Sequence, residues 1–155
     1  MTLDEELLAT EHVRPRSWGK IVNYLKREFD AWTIREIRKK GYENFKIAYM
    51  PVLMNIEVGG TTNNELAKKT KVTKQAMSKV IRELQEMGYV KAKEDKTDKR
   101  SMTLVLTEKG KKLVLACRHR MVGLHKEFHE LIGEKKFNEL IDHLLLIIKH
   151  HESRS

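Results

Sequence analysis

Residues 62–110 read TNNELAKKTKVTKQAMSKVIRELQEMGYVKAKEDKTDKRSMTLVLTEKG, and the turn signals in this stretch divide it into a short series of elements. Thr62-Asn63-Asn64-Glu65 has the form of a capping box, in which the Thr hydroxyl and the Glu carboxylate each satisfy the other residue's backbone N–H. A short helix over ELAKKT is therefore expected. Thr73 is placed to start a second helix that ends at Gly88. Within it Ala76, Met77, Val80, Ile81, Leu84 and Met87 recur at steps of three and four, the spacing of a buried stripe. Tyr89-Val90 and Met102–Leu106 read as strands. The intervening KAKEDKTDKRS is too polar for a core and rich in turn formers. Thr107 then opens a long helix.

Upstream, residues 1–15 are mixed in character and end at Pro15, as a frayed tail or a short helical arm would. From Trp18 the apolar residues fall at Ile21, Val22, Leu25, Phe29 and Trp32, which predicts a helix with one apolar face. It should stop near Gly41, after Arg38, Lys39 and Lys40, whose charge suits a helix C-terminus. Asn44 is expected to cap a further helix carrying Phe45, Ala48, Tyr49, Val52, Leu53 and Ile56, kinked or broken at Pro51. Gly59-Gly60 reads as a linker. Downstream of Thr107, Leu113, Val114, Cys117, Met121, Leu124, Phe128 and Leu131 form one apolar side, and Gly133 breaks the helix. The last helix carries Phe137, Leu140, Ile141, Leu144, Leu145 and Ile148. Leu146 and Ile147 widen that stripe beyond what one packing surface needs.

The chain has 155 residues, 40% apolar and 34% charged, with a net charge of +9. That is a globular composition with a heavily charged surface. A strongly basic balance favours a polyanionic partner, nucleic acid before membrane surface. No apolar run approaches the ~20 residues needed to span a bilayer, and the acidic N-terminus lacks the basic start of a signal peptide. A cytoplasmic protein is expected. Its single cysteine, Cys117, can form neither an internal disulfide nor a zinc site by itself. There is no Gly-rich phosphate loop, no carboxylate pair in an apolar setting and no nucleophile elbow, so neither an enzyme nor a cofactor is expected.

Two short helices, a tight turn and a basic hairpin compose a winged helix-turn-helix. Opposite the apolar stripe of 73–87, Lys74, Gln75, Ser78, Lys79 and Arg82 are exposed types. Gln can bond adenine bidentately, and Lys and Arg reach guanine edges or phosphates. Ser78 and Thr73 can donate to phosphate oxygens beside the helix's positive end. Taken alone, such a face is also what an ordinary solvated amphipathic helix presents. The hairpin that follows tips the balance. Its Lys91, Lys93, Lys96, Lys99 and Arg100 suit phosphate or minor-groove contact.

These residues resemble the MarR family of winged-helix transcriptional regulators. The resemblance lies in Glu65-Leu66-Ala67, in Val72 to Ser78, in Leu84 and in Gly88-Tyr89-Val90. It continues through Asp98-Lys99-Arg100 to Leu106-Thr107-Glu108-Lys109-Gly110. By motif it covers 62–110, and by helix layout about 16–152. It implies a mainly α fold with a small β-hairpin wing, the winged helix-turn-helix core flanked by N- and C-terminal dimerisation helices. The chain would be a single domain over 1–155, with a DNA-binding lobe at 42–107 and a dimerisation lobe at 16–40 and 108–152. Thr73 to Arg82 would be the recognition helix in the major groove. Arg100 would enter the flanking minor groove, held by Asp98 through a charged hydrogen bond, with Lys96 nearby on phosphate.

The same resemblance implies a homodimer joined through Trp18, Ile21, Leu140, Leu144, Ile147 and Ile148. Its site on double-stranded DNA would be pseudo-palindromic, with half-sites about one helical turn apart. A repressor released by a small aromatic or other organic effector is the expected mode. Pro51 falls near the family's effector region and leaves the pocket residues open. The alternative function is a winged-helix protein-interaction module, which should expose apolar or aromatic residues where Lys74, Gln75, Lys79 and Arg82 stand. His125 and His129 share a helix face and could share a metal, but surface imidazoles are expected and no metal site is assigned. Cys117, on an apolar side, reads as an inert buried thiol.

Overall fold

A computed structural model describes residues 1–94 and 102–155 of the chain. Lys96, Asp98 and Arg100 lie outside the described residues. The chain forms two compact units, Met1–Lys111 and Lys112–Ser155. It is mainly helical, with one small antiparallel sheet.

The first unit begins with helix α1, Leu3–Thr10, opened by a capping box of Thr2 and Glu5. A 3-10 segment, Glu11–Arg16, leads into α2, Trp18–Lys39. The arm is thus helical rather than frayed. Only Thr33 and Ile37 of α2 are buried, both in its second half. No helix starts at Asn44. A 3-10 turn, Ile47–Tyr49, runs into the single-turn helix α3, Met50–Leu53. Pro51 sits in the first turn of α3, where its missing N–H would have no helical partner anyway, so it opens a helix instead of kinking one. Phe45, Tyr49, Val52, Leu53 and Ile56 are all buried, so the apolar spacing marked the core correctly although the element is short.

Strand β1, Thr61–Thr62, precedes α4, Asn63–Thr70, whose Thr62–Glu65 capping box is present in both directions. Helix α5, Lys74–Glu86, starts at Thr73, whose hydroxyl accepts from the Ala76 N–H at 3.2 Å. Its stripe is buried at Met77, Ile81 and Leu84 and half-buried at Val80 and Met87, but Ala76 is exposed. Strand β2, Val90–Glu94, extends further into the charged segment than expected, because it pairs along its length with β3, Met102–Leu106. The sheet order is β1-β3-β2, with Thr61 opposite Leu104 and Val90 opposite Leu106.

Strand β1 was not foreseen, and it changes the reading of Gly60. At φ +101°, a Cβ on Gly60 would lie 2.5 Å from Thr103 Cγ2 and 3.2 Å from the Leu104 carbonyl oxygen. The residue is a close crossing of β3, not a linker. Buried Thr61 locks this turn, accepting from Glu57 N–H at 2.9 Å.

The turn between α4 and α5 contains the one non-glycine of positive φ among the described residues, Lys71 at +52°. A left-handed conformation at a residue with a Cβ costs about 1 kcal/mol. Thr70 braces the turn, its hydroxyl donating to Leu66 O at 2.8 Å.

Helix α6, Glu108–Ile132, begins in the first unit and continues into the second. Its start is tied to the wing base. Thr107 N–H donates to Tyr89 O at 3.1 Å, Thr107 Oγ1 donates to Gly88 O at 2.6 Å, and Lys109 Nζ donates to Met87 O at 2.7 Å. The same ammonium lies 4.6 Å from the Tyr89 ring centroid. Glycine at 110 lets α6 pass against the Tyr89 backbone.

In the second unit α6 is followed by α7, Glu134–Glu152. Phe137 is buried, with the His125 and His129 rings edge-on to it at 5.1 Å and Phe128 at 5.6 Å. Both imidazoles are packing groups. Among the described residues no three His, Cys, Asp or Glu side chains are grouped to hold a metal ion. Cys117 is buried, and that burial pushes its thiol up to about 11, far from a reactive thiolate. No described helix is long and apolar enough to cross a membrane.

Candidate nucleic-acid interface

Helix α5 presents two faces of opposite chemistry because its apolar residues recur with the helical period. The inner face, Met77, Ile81 and Leu84, packs into the core of the first unit. The outer face brings Thr73, Gln75, Ala76, Ser78, Lys79 and Arg82 together along one open groove. Lys74 is exposed at the first position of the helix. Every recognition-helix residue expected from the sequence is thus exposed on a single helix. Ala76, assigned to the core by period alone, belongs to this outer face. Its signal was ambiguous, because a small residue at the edge of an apolar stripe fits either side.

The opposite end of α5 is anchored by polar contacts that the sequence did not reveal. Glu83 accepts from the Tyr49 hydroxyl at 2.8 Å and from Lys46 Nζ at 3.2 Å, through the same carboxylate oxygen. The Tyr49 hydroxyl first, then the Lys46 ammonium, hold the Glu83 carboxyl below its ordinary range. Burial, helped by the adjacent carboxylate, pushes the Tyr49 hydroxyl up to about 12. The pair joins α5 to the 3-10 turn of residues 47–49.

A carboxylate whose folded pKa is depressed stabilises the fold above its unfolded pKa, and loses that contribution as pH falls through the folded value. Tyr49→Phe should therefore lower the melting temperature by roughly 2–4 °C at neutral pH. The gap from wild type should narrow below the ordinary glutamate range. Thermal melts followed by circular dichroism between neutral pH and the acid limit of folding would test this. A gap that stayed constant across that range would mean that Glu83 is not the partner that matters.

The structure places the expected dimer residues at the surface of the single subunit. Trp18 is 48% exposed, Ile21 41%, Leu140 44% and Ile148 51%, while Leu144 and Ile147 are half-buried.

A helix-turn-helix, a three-stranded wing base, helices before and after it, and a polar-basic outer face on α5 together make a winged helix-turn-helix. Residues 44–101 match the model of the MarR family. Over this stretch the chain is similar to the MarR family and has the winged-helix fold. The fold of the chain is that of MarR-family regulators of known structure. One is the MarR family transcription regulator SP03579, with a TM-score of 0.76 at 18% identity, covering 94% of this chain and 96% of that one. Another is a MarR transcriptional regulator from Methanosarcina mazei Go1, also with a TM-score of 0.76, at 24% identity and covering 88% and 97%. A third is Streptococcus pneumoniae FabT, solved in complex with DNA, with a TM-score of 0.71 at 17% identity, covering 90% and 100%. A search of curated protein sequences found no match.

Proposed function

We propose that this MarR-type protein is a homodimeric transcription repressor that reads a pseudo-palindromic operator through α5 and is released by a small organic effector. The observation that carries the reading is the outer face of α5. Gln75, Ser78, Lys79 and Arg82 line one groove with Thr73 and Ala76, in a chain of net charge +9. Gln75 and Arg82 supply the bidentate donors that distinguish base edges, and Ala76 supplies an apolar contact of the kind that reads a thymine methyl group. Lys74, Lys79 and the hydroxyls of Thr73 and Ser78 take phosphate. The groove has no exposed aromatic residue, which disfavours a protein-binding face. The lobe of residues 42–107 carries the reading. Residues 16–40 and 108–152 join two copies, an arrangement supported by the exposed apolar side chains of α2 and α7.

The experiment is operator selection from random duplexes, followed by fluorescence anisotropy on the selected site and a mixed-sequence control across a salt series. The expected result is a preference for the selected site of at least about a thousandfold, with a steep salt slope on both duplexes. Failure to enrich any sequence over the control would overturn the reading. With an operator in hand, aromatic acids and other small organic anions are the first effector classes to screen, scored by release of the duplex.

A further inference from the structure

Helix α1, Leu3–Thr10, opens on a complete capping box, yet none of its eight residues is buried. Leu3 is 78% exposed and Leu7, one turn later on the same face, 68%. A helix shorter than ~12–15 residues is marginal in water by itself and gains its stability by packing an apolar face. At about 100° per residue, the Leu3–Leu7 stripe is flanked by Asp4 on one side and Glu6 on the other. The charge of this segment is opposite to that of the chain as a whole. Residues 1–13 hold Asp4, Glu5, Glu6 and Glu11 and no lysine or arginine, in a protein of net charge +9.

The last turns of α7 have the complementary chemistry. Leu146, Ile147, Lys149, His150 and Ser153 line a hollow of about 500 Å³. Leu146 and Ile147 make it apolar, while Lys149 in the last turn and Arg154 just after the helix make its surroundings basic. Ile147 is also one of the residues through which two copies are proposed to join, so the hollow is continuous with that interface. Apolar contact alone would not choose a partner for α1, but charge does. Two α1 helices laid together would set acid against acid, and DNA would repel them. A leucine stripe between two carboxylates suits an apolar hollow beside two cations.

We propose that α1 of one copy docks on the last turns of α7 of a second copy, with Leu3 and Leu7 in the hollow and Asp4 and Glu6 toward Lys149 and Arg154. The inference rests on the homodimer reading above and adds to it an element outside both helical stretches assigned to the dimer. In a two-fold dimer the contact is made twice, so each substitution is felt at two places.

The test is sedimentation equilibrium of the whole 155-residue chain over a dilution series, which gives the dimer dissociation constant. Leu3→Gln with Leu7→Gln keeps the helix-forming tendency and the charge of α1 but removes its apolar stripe. It should raise the dissociation constant at least about tenfold. Asp4→Lys with Glu6→Lys should raise it about threefold, as should Lys149→Glu with Arg154→Glu, and all four together should bring it back toward wild type. A chain carrying Leu7→Cys, mixed with a tagged chain carrying Leu146→Cys, should form a disulfide-linked mixed pair on mild oxidation, Cys117 being buried and inert. A dissociation constant unchanged by the glutamine variant, or the absence of a mixed pair, would overturn the proposal. A link formed only within one chain carrying both cysteines would overturn it too, because α1 would then fold onto its own subunit. Failure of the combined charge reversal to rescue would overturn the pairing of the acids with Lys149 and Arg154. Wild-type protein that stays monomeric at every concentration would instead overturn the homodimer reading, before any variant is compared.

Discussion

Gly110→Ala should destabilise the fold by about 3 kcal/mol and lower its melting temperature by roughly 6–12 °C. An added Cβ would sit 2.0 Å from the Tyr89 carbonyl oxygen, 3.0 Å from the Tyr89 carbonyl carbon and 3.3 Å from Leu106 Cδ2. Two of these atoms are backbone and cannot swing aside. Relief requires the start of α6 to move away from the turn before β2. That movement breaks the bonds that seat the helix. Thr107 N–H loses Tyr89 O, and Thr107 Oγ1 loses its acceptor at Gly88 while it also accepts from Gly110 N–H at 3.0 Å. The Leu-Thr-Glu-Lys-Gly run after the wing is therefore a backbone joint, with Thr as cap, Lys as brace and Gly as clearance. Thermal and denaturant unfolding of the variant would measure the effect. A melting point within about two degrees of wild type would show that α6 can shift without cost.

The second large effect is expected in the wing. Arg100→Ala should weaken operator binding by roughly tenfold to a hundredfold, the range for losing one well-placed arginine at a groove. The loss should be much smaller on a mixed-sequence duplex. Lys96→Ala should cost only about threefold, equally on both duplexes, with a shallower salt slope. Both residues lie outside the described part of the chain, so the expectation rests on the resemblance of Asp98-Lys99-Arg100 to the family's wing and on their charge. Anisotropy on the two duplexes separates the cases. Equal affinity of Arg100→Ala and wild type for the operator would remove Arg100 from the reading surface.

Tyr49 and Glu83 illustrate what one-dimensional reading misses. They are 34 positions apart, and neither occupies a spacing that announces a hydrogen bond. Tyr49 was legible as apolar core, and it is buried. Its hydroxyl partner became visible only once α5 was docked on the 3-10 turn. Ala76 shows the same limit on a smaller scale. A methyl group on the edge of a stripe carries too little hydrophobic energy to determine which way the helix rotates. Met77, Ile81 and Leu84 decide that rotation, and they turn Ala76 outward. The segment after Asn44 failed differently. Its apolar residues do form core, but helical spacing over a few residues cannot distinguish one long helix from a 3-10 turn and a single helical turn. The chain's direction there is determined by packing against α2, α4 and α5, which no local signal encodes.

By itself the sequence determined whatever depends on near neighbours. The Thr62–Glu65 and Thr73 caps, the register of the α5 stripe, the break at Gly133 and the basic polar face of Lys74, Gln75, Ser78, Lys79 and Arg82 all follow from bonds or periods spanning a few residues. Only the tertiary structure decided the rest. It added β1 to the sheet edge, made Gly60 and Gly110 points of close backbone approach, tied Glu83 to Tyr49, and set Phe137 between two imidazoles that might have been metal ligands on spacing alone. Each of these depends on two segments meeting in space. That meeting is determined by how the whole core packs, an energy summed over many contacts and written at no single position of the chain.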